Sequence, residues 1–238
     1  MKAVEDLKIK IFADGANLES MTALSRLPHI SGLTTNPTLM KQAGIRDYQE
    51  FAQSVLAAIS DKPISFEVFA DDYAEMTRQA HLINSWGPNV YVKIPVSTTN
   101  GATCNRLISE LSGAGIKLNV TALMTPDQVR SVAIALTSGV PAVVSVFAGR
   151  VADTGVDPVP LMKECVRILQ PRPELELLWA SPRELLNIFQ ADEIGCDIIT
   201  VTPELLKKLV MVGKDLTTFS VETVQMFFTD ALAAGYRL

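Results

Sequence analysis

Eight short apolar runs alternate with amphipathic stretches of helical length along the 238 residues, and this alternation predicts an α/β fold. Strict alternation over a chain of this length is typical of a (β/α)8 TIM barrel. A doubly wound open sheet is the alternative, but such sheets usually carry a glycine-rich phosphate loop after the first strand. Here that turn reads GANLES, and no GxGxxG or GxxxxGK[ST] motif occurs anywhere. The sequence therefore predicts one barrel domain over residues 1–238, with the barrel at about 8–212 and an additional C-terminal helix at about 217–236.

The predicted strands are short runs rich in apolar and β-branched residues and bounded by turn residues. In chain order they are IKIFAD (9–14), GLTTN (32–36), ISFEVF (64–69), VYVKIPV (90–96), IKLNVTAL (116–123), AVVSVFAG (142–149), LELLWAS (175–181) and IITVTP (198–203). The predicted helices lie at 18–27, 48–60, 72–86, 101–115, 125–139, 157–170, 181–192, 203–213 and 220–235. In the helix at 125–139, Thr125 is the expected N-cap and Pro126 the first helical residue.

Composition and charge exclude several classes of function. The formal net charge is −5 and no basic block occurs, which argues against a nucleic-acid partner. Cys104, Cys165 and Cys196 are spaced neither as a disulfide framework nor as a zinc motif, and they suit a reducing cytoplasm. Since the chain has two histidines, we expect no multi-histidine metal site. We also expect no cofactor. The most apolar stretch, 131–149, is interrupted by Ser, Gly and Pro, so we expect no membrane span.

Period-two alternation places polar side chains inside the predicted barrel. Successive strand residues point to opposite faces, and the apolar residues of each strand suit the face that packs on the outer helices. The residues that then face inward, or close a strand, are Asp14, Asn36, Ser65, Glu67, Lys93, Asn119, Thr121, Ser145 and Phe147. A barrel interior normally holds branched apolar side chains, and the active sites of such barrels form at the carboxyl ends of the strands. The sequence thus predicts an active site at these ends.

Lys93 stands in the middle of the apolar run VYVKIPV. Burying an ammonium group is unfavourable unless the group is paired or loses its proton. Lys93 could extend to solvent from an edge strand, form a structural ion pair, or serve as an amine nucleophile toward a carbonyl group. Around it the inward set offers two carboxylates, Asp14 and Glu67, with amides and hydroxyls. Such a set suits Schiff-base chemistry, in which a protonated imine accepts electrons during C–C cleavage.

At these residues the chain resembles the transaldolase family, in the short-chain branch that also contains fructose-6-phosphate aldolases. The resemblance extends from about Phe12 to Leu209 and rests on an ordered series of motifs, each weak alone. They are GLTTNPTLM (32–40), SFEV (65–68), VYVKIPV (90–96), LNVTAL (118–123), SVFAGRVAD (145–153) and ASPR (180–183). The resemblance implies Lys93 as the Schiff-base lysine and Asp14 as the acid and base at the C4 hydroxyl. Glu67 and Thr121 would position a catalytic water.

The resemblance also implies two groups of substrate-binding residues. Those that contact the dihydroxyacetone unit or line its pocket are Asn36, Asn119, Ser145 and Phe147. Those that bind the substrate phosphate are Arg150, Ser181 and Arg183, and the forked guanidinium group matches phosphate oxygens. Either arginine could instead be a solvated surface charge, and Arg with Ser does not distinguish a phosphate from a sulfonate. The chain departs from the family pattern at Gly15 and Pro182, which bears on substrate choice.

Two positions separate transfer from release. Transaldolases resemble this chain in carrying Glu and Phe where fructose-6-phosphate aldolases carry Gln and Tyr, and here the residues are Glu67 and Phe147. An ionised Glu, with no phenol nearby, disfavours protonation and loss of the enamine. The resemblance therefore implies transfer of dihydroxyacetone from fructose 6-phosphate or sedoheptulose 7-phosphate to an aldose phosphate. The alternatives are an aldolase that releases free dihydroxyacetone, a transaldolase for a sulfonated ketose, and a catalytically silent binding module.

The C-terminal segment 220–235 carries more apolar residues at helical spacing than closing a barrel requires. They are Val221, Val224, Phe227, Phe228 and Leu232. This helix either packs on its own barrel or belongs to an interface between subunits. The resemblance implies a homo-oligomer, since short-chain members are often decamers. The expected partners are sugar phosphates and further copies of the chain, with no nucleic acid and no membrane.

Overall fold

The computed structural model describes residues 2–237, and its strands form a closed parallel barrel in which each strand pairs with the next and the last pairs with the first. The strands are β1 Lys10–Asp14, β2 Ile30–Thr34, β3 Ile64–Glu67, β4 Val90–Pro95, β5 Leu118–Leu123, β6 Ala142–Val146, β7 Leu175–Trp179 and β8 Ile198–Val201. The predicted (β/α)8 barrel is confirmed. Within residues 2–237 no helix combines the length and the apolar character that crossing a membrane requires.

Helices follow the strands around the outside of the barrel. They are α1 Leu18–Ser25, α2 Pro37–Gln42, α3 Tyr48–Ala58, α4 Tyr73–Asn84, α5 Asn105–Gly113, α6 Pro126–Ala135, α7 Ala148–Ala152, α8 Pro158–Leu169, α9 Leu186–Glu193, α10 Pro203–Leu206 and α11 Leu216–Ala233. The predicted cap of α6 is confirmed, because Thr125 and Gln128 form a reciprocal capping box and Pro126 is the first helical residue.

The sequence prediction lacks α2 and α7. These helices have six and five residues, too few for a hydrophobic periodicity to show. A second correction concerns Asn36, which was expected to close the second strand. That strand ends at Thr34, and Asn36 is instead the N-cap of α2, where its side chain accepts a hydrogen bond from the backbone N–H of Leu39.

The interior of the barrel has an apolar lower layer. Its members are Phe12, Tyr91, Val143, Leu178 and Ile198, each on the inward face of its strand. Space for the Phe12 ring comes from Gly32 on β2, where a Cβ atom would approach Cζ of Phe12 to 2.5 Å. Inward positions further along the same strands are polar: Asp14 follows Phe12 at this spacing on β1, and Lys93 follows Tyr91 on β4. The apolar layer therefore forms the floor beneath the polar residues.

The helix α11 stands apart from the barrel core. None of its residues is buried, and the apolar side chains singled out in its sequence are between 53% and 66% exposed. Of the two alternatives, packing of this stripe on its own barrel is therefore wrong.

The outward residues of β4 are buried, as the sequence predicts: Val90, Val92 and Ile94 lie fully buried between the strands and the surrounding helices.

Candidate active site

A cavity of about 550 Å³ opens at the carboxyl ends of the strands. Every residue predicted for the site lines it: Asp14, Asn36, Glu67, Lys93, Asn119, Thr121, Ser145, Phe147, Arg150, Ser181 and Arg183. Residues separated by more than 160 positions thus meet in one place, as the closure of the barrel requires. The cavity wall also contains polar residues that were not predicted, namely Thr34, Thr38, Gln42, Thr200 and Thr202.

Lys93 lies inside the barrel with only 7% of its surface exposed. Its Nζ donates to the carbonyl oxygen of Thr35 at 2.8 Å and lies 3.1 Å from Oε2 of Glu67. The two side chains are neighbours because Glu67 on β3 pairs in register with Lys93 on β4. Extension from an edge strand is therefore wrong as an explanation of this lysine, since β4 lies between β3 and β5. The ion pair is present, and it places a carboxylate within reach of the proton that a nucleophilic amine would have to lose.

Asp14 is held by two hydrogen bonds at the end of β1. Its Oδ1 accepts from Oγ1 of Thr34 at 2.9 Å, and its Oδ2 accepts from Nδ2 of Asn36 at 3.2 Å. The amide of Asn36 has one orientation, because its oxygen caps α2 and its nitrogen is left for Asp14. Burial raises the pKa of the Asp14 carboxyl above its ordinary value, and the charge of Lys93 and both hydrogen bonds oppose this shift. A carboxylate whose pKa is raised is a stronger base than an ordinary one, which suits it to accept and return a proton.

A chain of hydrogen bonds runs inside the barrel from β3 to β6. Nδ2 of Asn119 donates to Oγ of Ser65 at 3.0 Å, and Oδ1 of Asn119 accepts from Oγ of Ser145 at 2.6 Å. All three residues are buried, so each bond is formed away from competing water. Thr121 lies two residues further along β5 and is also buried. The orientation of the Asn119 amide is thereby determined before any substrate binds.

The backbone is strained at two places in the cavity wall. Ala122, directly after Thr121, has φ 65°, and the pairing of β5 with β6 shifts there. Ser181 has φ 61°. Residues other than glycine rarely adopt this left-handed conformation, and such strain persists only where the surroundings hold it, often at functional sites. Within residues 2–237 these are the non-glycine residues at positive φ, and both line the cavity.

Two arginines lie at the end of the cavity formed by the loops after β6 and β7. The guanidinium carbon of Arg150 lies 5.3 Å from the ring centre of Phe147. Nη1 of Arg183 donates to Oγ of Ser181 at 3.0 Å, while its Nε donates to Oδ1 of Asp153 at 2.9 Å and its Nη2 to Oδ2 of the same residue. This ion pair lowers the pKa of the Asp153 carboxyl. Asp153 was not predicted, and it neutralises one of the two positive charges.

Close contact between the two loops depends on Gly149. A Cβ atom at this position would lie 1.6 Å from the carbonyl oxygen of Ser181, so a larger residue could not be accommodated without moving the backbone. The glycine thus allows α7 and the loop after β7 to touch, which brings Arg150 to the same end of the cavity as Ser181 and Arg183.

A family model described as Transaldolase/Fructose-6-phosphate aldolase matches residues 11–237. The chain belongs to the transaldolase/fructose-6-phosphate aldolase family. Curated relatives named "Probable transaldolase" agree. That of Dehalococcoides mccartyi is 37% identical over 203 residues, covering 85% of this chain and 90% of its own length. That of Thermoanaerobacter sp. is 34% identical over 231 residues, covering 97% of this chain and all of its own length. The expectation of an enzyme, with transaldolases as its relatives, is confirmed.

Solved structures resemble this transaldolase-family chain in fold. Dihydrodipicolinate synthase from Rhodopseudomonas palustris has a TM-score of 0.56 at 17% identity, covering 98% of this chain and 82% of its own. KGPDC from Streptococcus mutans has a TM-score of 0.55 at 11% identity, covering 82% of this chain and 87% of its own. At such identities the likeness concerns the barrel alone.

Several contacts in this transaldolase-family site were not predicted. Thr200 of β8 shares a hydrogen bond with Thr34, which itself binds Asp14. The inward parity of Thr200 in the run IITVTP could have revealed it. The hydroxyl of Tyr48 also contacts Glu67, and this contact was not predicted. That contact is with the backbone, and Tyr48 is absent from the lining of the cavity.

Proposed function

We propose that the protein is a transaldolase that transfers a dihydroxyacetone unit from a ketose phosphate to an aldose phosphate through a Schiff base on Lys93. The observation that carries this proposal is the position of Lys93, a buried amine between the carboxylate of Glu67 and the carbonyl of Thr35 in the same cavity as Asp14. An amine, a proton acceptor beside it and a second carboxyl with a raised pKa are the groups this reaction needs.

The reaction would begin when the free amine of Lys93 attacks the C2 carbonyl of fructose 6-phosphate or sedoheptulose 7-phosphate. Water leaves, and a protonated imine forms. Asp14 takes the proton of the C4 hydroxyl, the C3–C4 bond breaks, and its electrons move into the imine to give an enamine on Lys93. The aldose phosphate product departs. An acceptor aldose phosphate then binds, C3 of the enamine attacks its aldehyde, Asp14 returns the proton, and hydrolysis of the imine releases the new ketose.

The remaining side chains would bind and orient the substrate. Asn36, Asn119 and Ser145 would hold the hydroxyl groups of the dihydroxyacetone unit, and their hydrogen bonds to one another or to Asp14 support this role because they are already oriented. Glu67 and Thr121 would hold the water that hydrolyses the imine. Arg150, Ser181 and Arg183 would bind the phosphate, with Phe147 below Arg150.

Transfer, as opposed to release of free dihydroxyacetone, is supported by the carboxylate of Glu67 and the ring of Phe147 in the cavity wall. The test is an assay with fructose 6-phosphate in the presence and absence of erythrose 4-phosphate. A transaldolase forms sedoheptulose 7-phosphate when the acceptor is present and little dihydroxyacetone when it is absent. Equal release of free dihydroxyacetone in both reactions would instead identify an aldolase, and no product in either would contradict the family reaction for these sugars. A parallel assay with a sulfonated ketose distinguishes the two head groups.

We further propose that the enzyme is a homo-oligomer, as the frequent decamers among short-chain members imply, and that it acts in the cytoplasm. The apolar stripe of α11, which its own barrel leaves exposed, supports an interface between copies of the chain. Three free cysteines, all buried, suit a reducing compartment.

A further inference from the structure

The hydrogen-bond ladder between β2 and β3 is interrupted beside Lys93. Parallel pairing is regular as far as Thr35, with Leu33 N–H donating to the carbonyl of Pro63 and Thr35 N–H donating to that of Ser65. In this register the next bond of the ladder would join the N–H of Glu67 to the carbonyl of Thr35. That bond is replaced by two others. The N–H of Glu67 donates to the hydroxyl of Tyr48 at 2.7 Å, and the carbonyl of Thr35 accepts from Nζ of Lys93 at 2.8 Å.

Tyr48 takes both backbone groups of Glu67. Besides accepting from the N–H, its hydroxyl donates to the carbonyl oxygen of Glu67 at 3.1 Å. At the end of β3 the Tyr48 hydroxyl thus satisfies the backbone N–H and C=O groups that a residue of the neighbouring strand would otherwise bond. The phenol is suited to this because burial raises its pKa, so it keeps its proton and remains a donor as well as an acceptor.

The position of the Tyr48 ring is determined by its surroundings. Tyr48 is the first residue of α3, whose N-cap Asp47 accepts from the backbone N–H of Glu50 at 2.9 Å. The ring packs edge-on against Phe69 and Trp86, with ring centres 4.4 and 5.5 Å away. It lines surface hollows on the outer side of β3 and does not line the cavity. Any influence on the reaction must therefore pass through Glu67 and Thr35.

We infer that Tyr48 is a positioning residue of the active site. The Tyr48 hydroxyl replaces Thr35 as the partner of the Glu67 backbone, which leaves the Thr35 carbonyl free to hold the amine of Lys93. The same hydroxyl fixes the position of the Glu67 backbone, from which the Glu67 carboxylate reaches that amine. The inference rests on the proposed function for what the positioned groups do. It goes beyond that function in assigning a role to a side chain outside the cavity.

The variant Tyr48→Phe tests the inference, with Tyr73→Phe as the matched control. Tyr73→Phe also removes a hydroxyl that is bonded to another residue, Glu110. Tyr73, however, lies on the surface of α4. Removal of the Tyr48 hydroxyl leaves the Glu67 N–H without its partner, which loosens the end of β3 and shifts Glu67 relative to Lys93. We expect kcat to fall by about ten- to a hundredfold in Tyr48→Phe with KM within about twofold. Tyr73→Phe should keep the parental kcat.

A second measurement addresses the backbone directly. Amide hydrogen exchange should show a protected Glu67 N–H in the parent enzyme and faster exchange at this position in Tyr48→Phe, with the rest of the barrel unchanged. A parental kcat in Tyr48→Phe, a change confined to KM, or rapid exchange of the Glu67 amide in the parent enzyme would each overturn the inference. Failure of the proposed function is a separate result, because it would appear in the parent enzyme as the absence of a borohydride-trapped adduct on Lys93.

Discussion

Oε2 of Glu67 lies 3.1 Å from Nζ of Lys93, and register pairing of β3 with β4 holds the two side chains together. The carboxylate is therefore next to the atom that would carry the enamine. A negative charge there weakens neighbouring acids as proton donors, because each would become a second anion, and under the proposed function the enamine would therefore persist until an acceptor arrives. Under the proposed function, the register of β3 with β4 would thus influence whether dihydroxyacetone is transferred or released.

The first prediction follows from this pair. Glu67→Gln removes the charge, and Phe147→Tyr places a phenol at the cavity wall, so each should raise the ratio of free dihydroxyacetone to transferred dihydroxyacetone. The ratio is measured with fructose 6-phosphate, with and without erythrose 4-phosphate. Glu75→Gln is the control, since Glu75 pairs with Arg78 on the surface of α4. Unchanged ratios in both site variants would refute the explanation from charge and phenol while leaving the imine chemistry intact.

The second prediction concerns the nucleophile. Borohydride reduction with fructose 6-phosphate should add a dihydroxyacetone or hexose-phosphate group to Lys93 and inactivate the enzyme, and peptide mass mapping locates the adduct. Lys93→Met should abolish turnover and adduct, with circular dichroism showing a folded protein. Lys117→Met is the control, because Lys117 bonds to the carbonyl of Pro88 outside the cavity and should leave activity intact. An adduct on Lys10 or Lys117, or an active Lys93→Met enzyme, would contradict the central role of Lys93.

The third prediction concerns the phosphate site. Arg150→Ala and Arg183→Ala should each raise KM for phosphorylated donors by about ten- to a hundredfold, corresponding to about 1.5–3 kcal/mol for a charge-assisted contact. The increase should be larger for Arg183→Ala, because that change also leaves the carboxylate of Asp153 without its partner beside the phosphate. Non-phosphorylated donors and the surface variant Arg130→Ala serve as controls. Equal losses on phosphorylated and non-phosphorylated donors would show that these arginines do not bind phosphate.

The fourth prediction uses the pKa of Asp14, which burial raises above the ordinary value of 3.8. A raised pKa means that the folded state disfavours the ionised form of the Asp14 carboxyl. The contribution of this carboxyl to stability is therefore present below its ordinary pKa, and it is lost as the pH rises to the raised pKa of the folded state. The melting temperature of Asp14→Asn relative to the parent should therefore increase as the pH rises above 3.8, while activity is lost. For Asp71→Asn the difference should fall as the pH rises toward 3.8 and stay constant above it, because hydrogen bonds from Thr99 lower the pKa of Asp71. A pH-independent difference for Asp14→Asn would contradict the shift.

The fifth prediction concerns α11. Ending the chain after Asp215, or introducing Phe227→Asp with Phe228→Asp, should convert the oligomer to a smaller species, as measured by light scattering after size exclusion. Ile134→Asp is the control, since Ile134 is 79% exposed on α6 and lies outside the apolar stripe. A monomeric parent, or an unchanged oligomer in the α11 variants, would show that this helix does not form the interface.

Local periodicity determined much of the site without any three-dimensional information. Alternation along single strands placed Glu67, Lys93, Asn119, Thr121 and Ser145 on inward faces, because the two-residue period of a strand is a property of its own backbone. Helix starts such as Thr125 followed from side chains that bond to the next turn. These features depend on residues within a few positions of one another, so the sequence was sufficient for them.

Tertiary structure alone decided the contacts between distant segments. The carbonyl of Thr35 holds Lys93 although a carbonyl has no signature in the sequence, and Thr200 reaches Thr34 only because β8 closes onto β1. The same holds for the replacement of a ladder bond by Tyr48 and for the exposure of α11, since both depend on where a helix lies relative to the barrel. Such contacts follow from the closure of the barrel and from helix packing, which sum many weak interactions over the whole chain, whereas a sequence pattern reports only the local ones.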